Sequence, residues 1–337
     1  MKEVGYFFDI KRVASLIKLL RARKVLIQLP EGLKRYAINI VKELEKFLPK
    51  GVMVFISGEK AYGACDIAFE EAKMLKADLI IHYGHTPRYY PGEDIPVLYI
   101  SAFSNLTLSE KLCNKLVKVL NEANIKRVGV TAVIQHSPLH KELRSILRKH
   151  GFNAYIGRGY GVPDGIVIGC NYTSAMNIND LVDAHIIIAG GLFHGLGLRI
   201  ATGKKVYVLD PYRDDIIDIE KEYRRVYALS ISHILRASKA KVFGIIVCLK
   251  SGQFNIKTAL KIKQRIVEHG RKAIILTMRD ITWDKLLSFP SIEVFVNTGC
   301  PRLALDDRGV MKIPIIAPHE LEFILERRDI AGYQMRI

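Results

Sequence analysis

Five cysteines stand in the 337-residue chain, and three of them share a setting. Cys65 lies in Tyr62-Gly63-Ala64-Cys65-Asp66, Cys170 in Ile166-Val167-Ile168-Gly169-Cys170-Asn171, and Cys300 in Asn297-Thr298-Gly299-Cys300-Pro301. Each falls just past an expected strand or in the loop after it. Each also has a glycine one or two residues ahead, which lets the backbone approach something bulky. Three thiolates suit a metal centre with one coordination position left open. Zinc with a bound water is one such centre, and an iron–sulfur cluster with one free iron is another. The bland alternative is ordinary packing, because free cysteine is among the most buried residue types. Successive cysteines are 48, 57, 78 and 52 residues apart, so C-x-x-C and C-x₃-C-x₂-C are both absent. A centre built on them must be assembled from distant segments. Cys113, in the amphipathic stretch Leu112-Cys113-Asn114-Lys115-Leu116-Val117, and Cys248, in the strand Ile245 to Leu249, read as core residues.

The elements that position these thiols repeat three times. Strands are expected at Lys24–Gln28, Arg127–Thr131 and Lys241–Val247, followed by helical patterns at Leu33–Phe47, Leu139–His150 and Ile256–His269. Gly51, Gly151 and Gly270 then precede second strands at Val52–Phe55, Phe152–Tyr155 and Ala273–Leu276. Glycine just beyond a helix is the left-handed C-terminal stop. Strand, helix, strand at this spacing is a βαβ unit, with parallel strands and a right-handed crossover. The fold class is therefore α/β, with three similar βαβ-type lobes carrying small parallel sheets at 1–104, 105–225 and 226–337. Ligands of such sheets bind at the carboxyl ends of the strands. A pseudo-threefold arrangement of the lobes would bring the three thiols together on a central axis.

Composition narrows the class. Hydrophobic residues make up 49% and charged residues 25%, which excludes a disordered or collagen-like chain. Apolar runs such as Ile186–Phe193 reach only eight residues, far short of a membrane span. Met1-Lys2-Glu3-Val4-Gly5-Tyr6 lacks the apolar core of an export signal. With an odd number of cysteines, this leads to the expectation of a cytoplasmic protein with no membrane partner. The formal charge of +17 is spread along the chain without a basic run, and aromatics are not interleaved with it, so no direct nucleic-acid partner is expected.

A family resemblance attaches to the cysteine segments. Tyr62-Gly63-Ala64-Cys65-Asp66, Gly169-Cys170-Asn171 and Cys300-Pro301-Arg302, with Leu305-Asp306-Asp307 following, resemble the archaeal 2-(3-amino-3-carboxypropyl)histidine synthases of diphthamide biosynthesis. Further matches are Gln28-Leu29-Pro30-Glu31-Gly32-Leu33, Gly157-Arg158-Gly159, Phe193-His194-Gly195-Leu196-Gly197-Leu198, Leu209-Asp210-Pro211-Tyr212 and Lys250-Ser251-Gly252-Gln253. The resemblance implies a homodimer with a [4Fe–4S] cluster on Cys65, Cys170 and Cys300. It also implies S-adenosyl-L-methionine at the open iron, an electron donor not identified by the sequence, and a histidine of translation elongation factor 2 as acceptor. The 3-amino-3-carboxypropyl group is transferred as a radical to the imidazole C2, releasing 5′-methylthioadenosine. Quinolinate synthase, also three-lobed with three cluster cysteines, is the nearest rival, and a non-catalytic partner subunit is the other alternative.

A cofactor with an amine, a carboxylate and a ribose needs donors and acceptors at the same strand edge. The Gly190-Gly191-Leu192-Phe193-His194 turn follows Ile186–Ile188 and precedes a helical stretch, where backbone N–H groups can hold a carboxylate. Gly191 and His194 are candidates there, beside a plain strand–helix turn as the alternative. Gln253 can both donate and accept after its strand, and Asp210 either takes a ribose hydroxyl or caps a turn. Arg302, Arg158, His85 and His136 are further candidates for the central cavity, with structural roles equally open to the histidines. Gly157-Arg158-Gly159-Tyr160-Gly161 reads as a turn, since a strand rather than a helix is expected after it.

Overall fold

The computed structural model describes residues 5–90 and 92–337; Met1–Val4, where the export core was sought, lie outside the described residues, as does the side chain of Asp307. The opening part of the chain carries β1 (Tyr6–Phe7), β2 (Lys24–Gln28), β3 (Met53–Ile56), β4 (Leu79–Tyr83), β5 (Val97–Ile100) and β6 (Phe103–Ser104). Strands β2 to β5 form a parallel sheet in the order β3-β2-β4-β5, and β1 pairs antiparallel with β6. Successive side chains alternate between faces, as strand geometry requires. Val25, Ile27, Leu79 and Ile81 share a cluster with Val13, Ile17, Ile40 and Leu44, which come from the helices Ile10–Leu19 and Ala37–Glu45. Leu26 and Ile80 point the other way, onto Phe69 and Ala72 of the helix Phe69–Leu75. A parallel sheet covered on both faces needs this continuous apolar content.

The same plan recurs twice. The strands β7 (Arg127–Ala132), β8 (Asn153–Tyr155), β9 (Ala184–Ile188), β10 (Lys205–Asp210) and β11 (Asp215–Asp218) are ordered β11-β10-β9-β7-β8, with β7 parallel to both β8 and β9. The strands β12 (Val242–Cys248), β13 (Lys272–Met278), β14 (Val294–Asn297) and β15 (Ile315–Ile316) form an all-parallel sheet ordered β13-β12-β14-β15. Each first strand thus lies between the second and third strands of its sheet. The order reverses beside it, and this is the switch point where open α/β sheets place ligands. The crossover helices are Ser137–Lys149 and Ile256–Glu268. Gly151 and Gly270, with φ of 83° and 71°, directly follow the C-caps of their helices as the left-handed stop expected of them, whereas Gly51, with φ 89°, lies in the loop beyond a helix that ends at Glu45.

One expected strand is not formed. Ile166-Val167-Ile168 makes a single bridge, between Ile166 and Ala132. The Ile166 carbonyl is taken by the Ser174 hydroxyl at 2.8 Å, and the Gly165 N–H by the Gly157 carbonyl, so no ladder extends. By proximity the chain resolves into two compact units. One comprises residues 1–168, 173–190 and 209–216, the other residues 169–172, 191–208 and 217–337. No helix among the described residues is long and apolar enough to cross a membrane.

Candidate functional site

In the first unit, Cys65 sits in the turn Gly63–Asp66, which is closed by the Asp66 N–H on the Gly63 carbonyl at 3.0 Å. A Cβ on Gly63 would stand 3.4 Å from the Cys65 sulfur, so the glycine leaves the thiol's near side open. Two side chains grip this turn from outside, and a third, His82, backs one of them. Gln28, the last residue of β2, donates from Nε2 to the Asp66 carbonyl at 2.8 Å and accepts at Oε1 from the Ala68 N–H at 3.2 Å. Tyr90 donates to the Ala64 carbonyl and packs edge-on against Phe69. Burial pushes the Tyr90 phenol up, so it remains a donor. His82 stands against Gln28, and His85 against His82, at 2.8 and 2.7 Å.

In the second unit, Cys300 follows β14 directly. Asn297, the last residue of that strand and only 2% exposed, closes the loop as Gln28 closes the other one. Its Nδ2 donates to the Cys300 carbonyl at 2.7 Å, and its Oδ1 accepts from the Gly299 N–H at 3.1 Å. A Cβ on Gly299 would lie 2.8 Å from the Cβ of Cys248, so that buried cysteine walls this loop from behind. Cys170 is exposed and follows Gly169, where a Cβ would come within 2.8 Å of the Phe193 ring. Both loops meet one guanidinium. Arg302, 3% exposed, is held bidentately by Asp306 at 2.7 Å from Nε and Nη2, donates to the Phe193 carbonyl at 2.7 Å, and lies 3.9 Å from the centre of the Phe193 ring. Burial pushes the Asp306 carboxyl up, while Arg302 pulls it down. Tyr172, two residues past Cys170, donates to the Gly169 carbonyl at 3.4 Å.

The remaining expected residues fall as follows. Gly191 has φ 70° and opens the ten-residue helix Phe193–Thr202, whose start carries no side-chain cap. His194 is half-buried, with its ring edge-on to Phe193 at 4.9 Å. Gln253 is half-buried and lies at the loop after β12, where a Cβ on Gly299 would approach its Oε1 to 3.7 Å. Beside it, the nearly buried Lys250 pairs with Asp280 at 3.0 Å. Asp210 ends β10, and its Oδ1 accepts from the Tyr212 and Arg213 N–H groups at 2.9 and 3.3 Å, the turn-capping arrangement. His136 bonds to the Ser104 hydroxyl at 2.8 Å and packs edge-on to Tyr212, while burial lowers its pKa to about 4. Arg158 is exposed, and the flanking Gly157 and Gly159 admit backbone where a Cβ would collide, which makes the segment a turn.

Sequence reasoning did not single out Gln28, Asn297 or Tyr172. The only available signal was a carboxamide as the last residue of a strand. The two cysteines read as core are buried, and burial pushes the Cys113 thiol up. Cys65 and Cys300 are partly exposed and Cys170 is exposed, with no disulfide among the described residues. No three His, Cys, Asp or Glu side chains among the described residues gather tightly enough for a single metal ion.

Comparison with known proteins then places the chain. The family model of the diphthamide synthesis proteins matches residues 29–334. The 2-(3-amino-3-carboxypropyl)histidine synthase of Pyrococcus horikoshii is 38% identical over 93% of this chain and 89% of its own. Subunit 1 of the Saccharomyces cerevisiae enzyme is 28% identical, over 96% of this chain and 76% of its own. Among solved structures, Dph2 from Pyrococcus horikoshii with a 4Fe–4S cluster superposes with a TM-score of 0.84 at 35% identity, covering 97% of this chain and 93% of that one. With three cysteine loops on a thrice-repeated α/β plan, and likeness to these proteins along nearly its whole length, this chain belongs to the diphthamide synthesis protein family.

Proposed function

We propose that the chain catalyses the first step of diphthamide biosynthesis, as a 2-(3-amino-3-carboxypropyl)histidine synthase that holds a [4Fe–4S] cluster through Cys65, Cys170 and Cys300. The observation that carries this is the split among the five thiols. Three stand partly or fully exposed in loops beyond strands, while Cys113 and Cys248 are sealed in the core. The donor set fits the group. A cubane binds each thiolate on a different iron, and three thiolates leave one iron for a substrate.

When bound, the cluster would supply the electron that breaks the methionine Cγ–S bond of S-adenosyl-L-methionine, releasing 5′-methylthioadenosine; the aminocarboxypropyl radical would add to imidazole C2, and loss of the C2 proton and one electron from the adduct would restore the ring. The chain's own residues fix the loops around that chemistry. Gln28 and Tyr90 hold the Cys65 turn, and Asn297 holds the Cys300 loop. Arg302 joins the Cys300 segment to the start of the helix Phe193–Thr202, whose N-terminal end, with Gly191, suits the cofactor carboxylate. His194, Gln253, Asp210 and His85 complete the cofactor set. Three lobes, at 1–104, 105–225 and 226–337, each supply one cysteine. The protein acts in the cytoplasm as a homodimer, takes electrons from a separate donor, and modifies a histidine of translation elongation factor 2.

The test is transfer of label from carboxypropyl-labelled S-adenosyl-L-methionine to the elongation factor under reducing, anaerobic conditions. Label should appear on the factor and not on its His→Ala acceptor variant. Label on that variant, or none on either, overturns the reading.

A further inference from the structure

A polar row crosses the buried face of the first sheet, on the side of the helix Phe69–Leu75. Register places Gln28 of β2 opposite His82 of β4, and His82 opposite Tyr99 of β5. Gln28 is 1% exposed and His82 is fully buried. Leu26 and Ile80, on the same face, belong to the apolar cluster beside this row.

The hydrogen bonds fix every donor and acceptor in the row. The Asp66 carbonyl can only accept and the Ala68 N–H can only donate, so the Gln28 amide has one permitted orientation, Nε2 toward Asp66 and Oε1 toward Ala68. Oε1 then meets His82 Nδ1 at 2.8 Å, and because Oε1 only accepts, Nδ1 carries the proton. Burial keeps both rings neutral: it holds the His82 pKa well below its ordinary value and brings that of His85 to about 4. A neutral His82 protonated at Nδ1 has a lone pair at Nε2, which accepts from His85 Nδ1 at 2.7 Å. His85 therefore also carries its proton on Nδ1 and keeps an acceptor lone pair on Nε2. The two rings stack with centroids 4.9 Å apart, and Tyr99 closes the row edge-on at 5.5 Å from His82.

We propose that His82, backed by His85, is a positioning residue that locks the Gln28 amide and through it the turn that presents Cys65. The chain of contacts runs from His85 through His82 and Gln28 to the backbone on the C-terminal side of the cysteine, at Asp66 and Ala68. A histidine at this place does what an apolar residue of similar volume cannot: it gives the carboxamide oxygen a second donor beside the Ala68 N–H, which strengthens the one orientation that Asp66 and Ala68 select. The significance of the lock for the reaction rests on Cys65 being a cluster ligand; the lock itself does not.

The test therefore reads Cys65 without cluster or activity. The reduced full-length chain, prepared without iron, is alkylated with iodoacetamide, and modification at Cys65 and Cys300 is followed separately by peptide mass spectrometry. In His82→Phe the amide loses a buried hydrogen bond, and local opening of the turn should speed Cys65 alkylation about threefold to tenfold. Cys300, on its own Asn297 clamp, should be unchanged. The conservative replacements separate positioning from packing. The amide of asparagine stands where Nδ1 stands, so His82→Asn should restore the wild-type rate at Cys65. The amide of glutamine stands where Nε2 stands, so His82→Gln should not. Nitrogen-15 spectra of the wild-type rings should show His82 and His85 as neutral Nδ1–H tautomers. Equal acceleration at Cys65 and Cys300, no acceleration at Cys65, rescue by Gln but not Asn, or an Nε2–H tautomer at His82 would each overturn the proposal. Failure of labelled-group transfer with a positive alkylation result would count against the proposed function alone.

Discussion

Gly197→Ala sets two effects of opposite sign against each other, and the structure decides between them. Gly197 lies inside the helix Phe193–Thr202, where alanine is favoured over glycine by about 1 kcal/mol. The added Cβ, however, would collide with the hydroxyl and ring of Tyr172 and stand 2.5 Å from Arg302 Nη1. Both neighbours are nearly sealed, at 2% and 3% exposure, so neither can swing into solvent. Overpacking of this kind costs about 1–3 kcal/mol, and displacing Tyr172 also removes its bond to the Gly169 carbonyl, about 0.5–1 kcal/mol for so long a contact. The net effect is a loss of roughly 0.5–3 kcal/mol, or a fall in melting temperature on the order of 5 °C. Tyr172 and Arg302 lie two residues from Cys170 and Cys300, so iron retained after anaerobic reconstitution should fall as well. Thermal unfolding by circular dichroism, beside iron analysis, measures both. Gly32→Ala is the control, since a Cβ there meets nothing within 4 Å, and it should stay within about 0.5 kcal/mol of wild type. A Gly197→Ala protein that melts higher than wild type, showing helix propensity to win, would refute the packing argument.

Asn297→Asp replaces the donor to the Cys300 carbonyl with a carboxylate oxygen, leaving that carbonyl unsatisfied and repelled at a cost of about 1–3 kcal/mol; iron content should fall and Cys300 alkylation rise while Cys65 is unaffected, and retention of full iron would count against the clamp. Glu320→Ala should destabilise by about 3–5 kcal/mol in denaturant titrations, because it leaves the fully buried Arg308 guanidinium without its anion and removes the acceptor of the Tyr333 hydroxyl; a loss under 1 kcal/mol would contradict this. His136 has a folded pKa of about 4 against 6.5 in the unfolded chain, so on acidification the unfolded state takes up its proton first. Its contribution to stability is whole above pH 6.5 and is lost as pH falls toward 4, with a slope of about 1.4 kcal/mol per pH unit at most. His136→Gln should flatten the stability profile in that window, and an unchanged slope would show that the ring is not held neutral.

The fold was legible where local chemistry alone determines structure. Gly151 and Gly270 marked two helix ends because a left-handed residue is required after the C-cap there, while Gly51, also left-handed, serves the loop past the helix Ala37–Glu45. Cys113 and Cys248 were recognisable as core from the apolar period of their own elements. The segment Ile166–Ile168 was misread because its apolar run is as consistent with a buried loop as with a strand; Ser174, eight residues on, takes the carbonyl that a ladder would need. Arg302 could be picked as a site residue from its neighbour Cys300, but not its grip on Phe193, 109 residues away. Gln28 acts on a turn 38 residues later and is locked by a histidine 54 residues away, and only strand register brings the three together. Of the glycines before the cysteines, Gly169 and Gly299 are sites of close approach, yet what approaches is the protein itself, the Phe193 ring and the Cys248 side chain, and at Gly63 nothing comes nearer than an ordinary contact.

The most direct test of the account is the identity of the nucleoside left when the reduced, cluster-loaded protein meets S-adenosyl-L-methionine. Cleavage at Cγ–S by a centre on Cys65, Cys170 and Cys300 predicts 5′-methylthioadenosine in the quenched, chromatographed reaction, and none from protein carrying Cys65→Ala, Cys170→Ala and Cys300→Ala together. 5′-Deoxyadenosine as the main product, or 5′-methylthioadenosine undiminished in the triple variant, would contradict it.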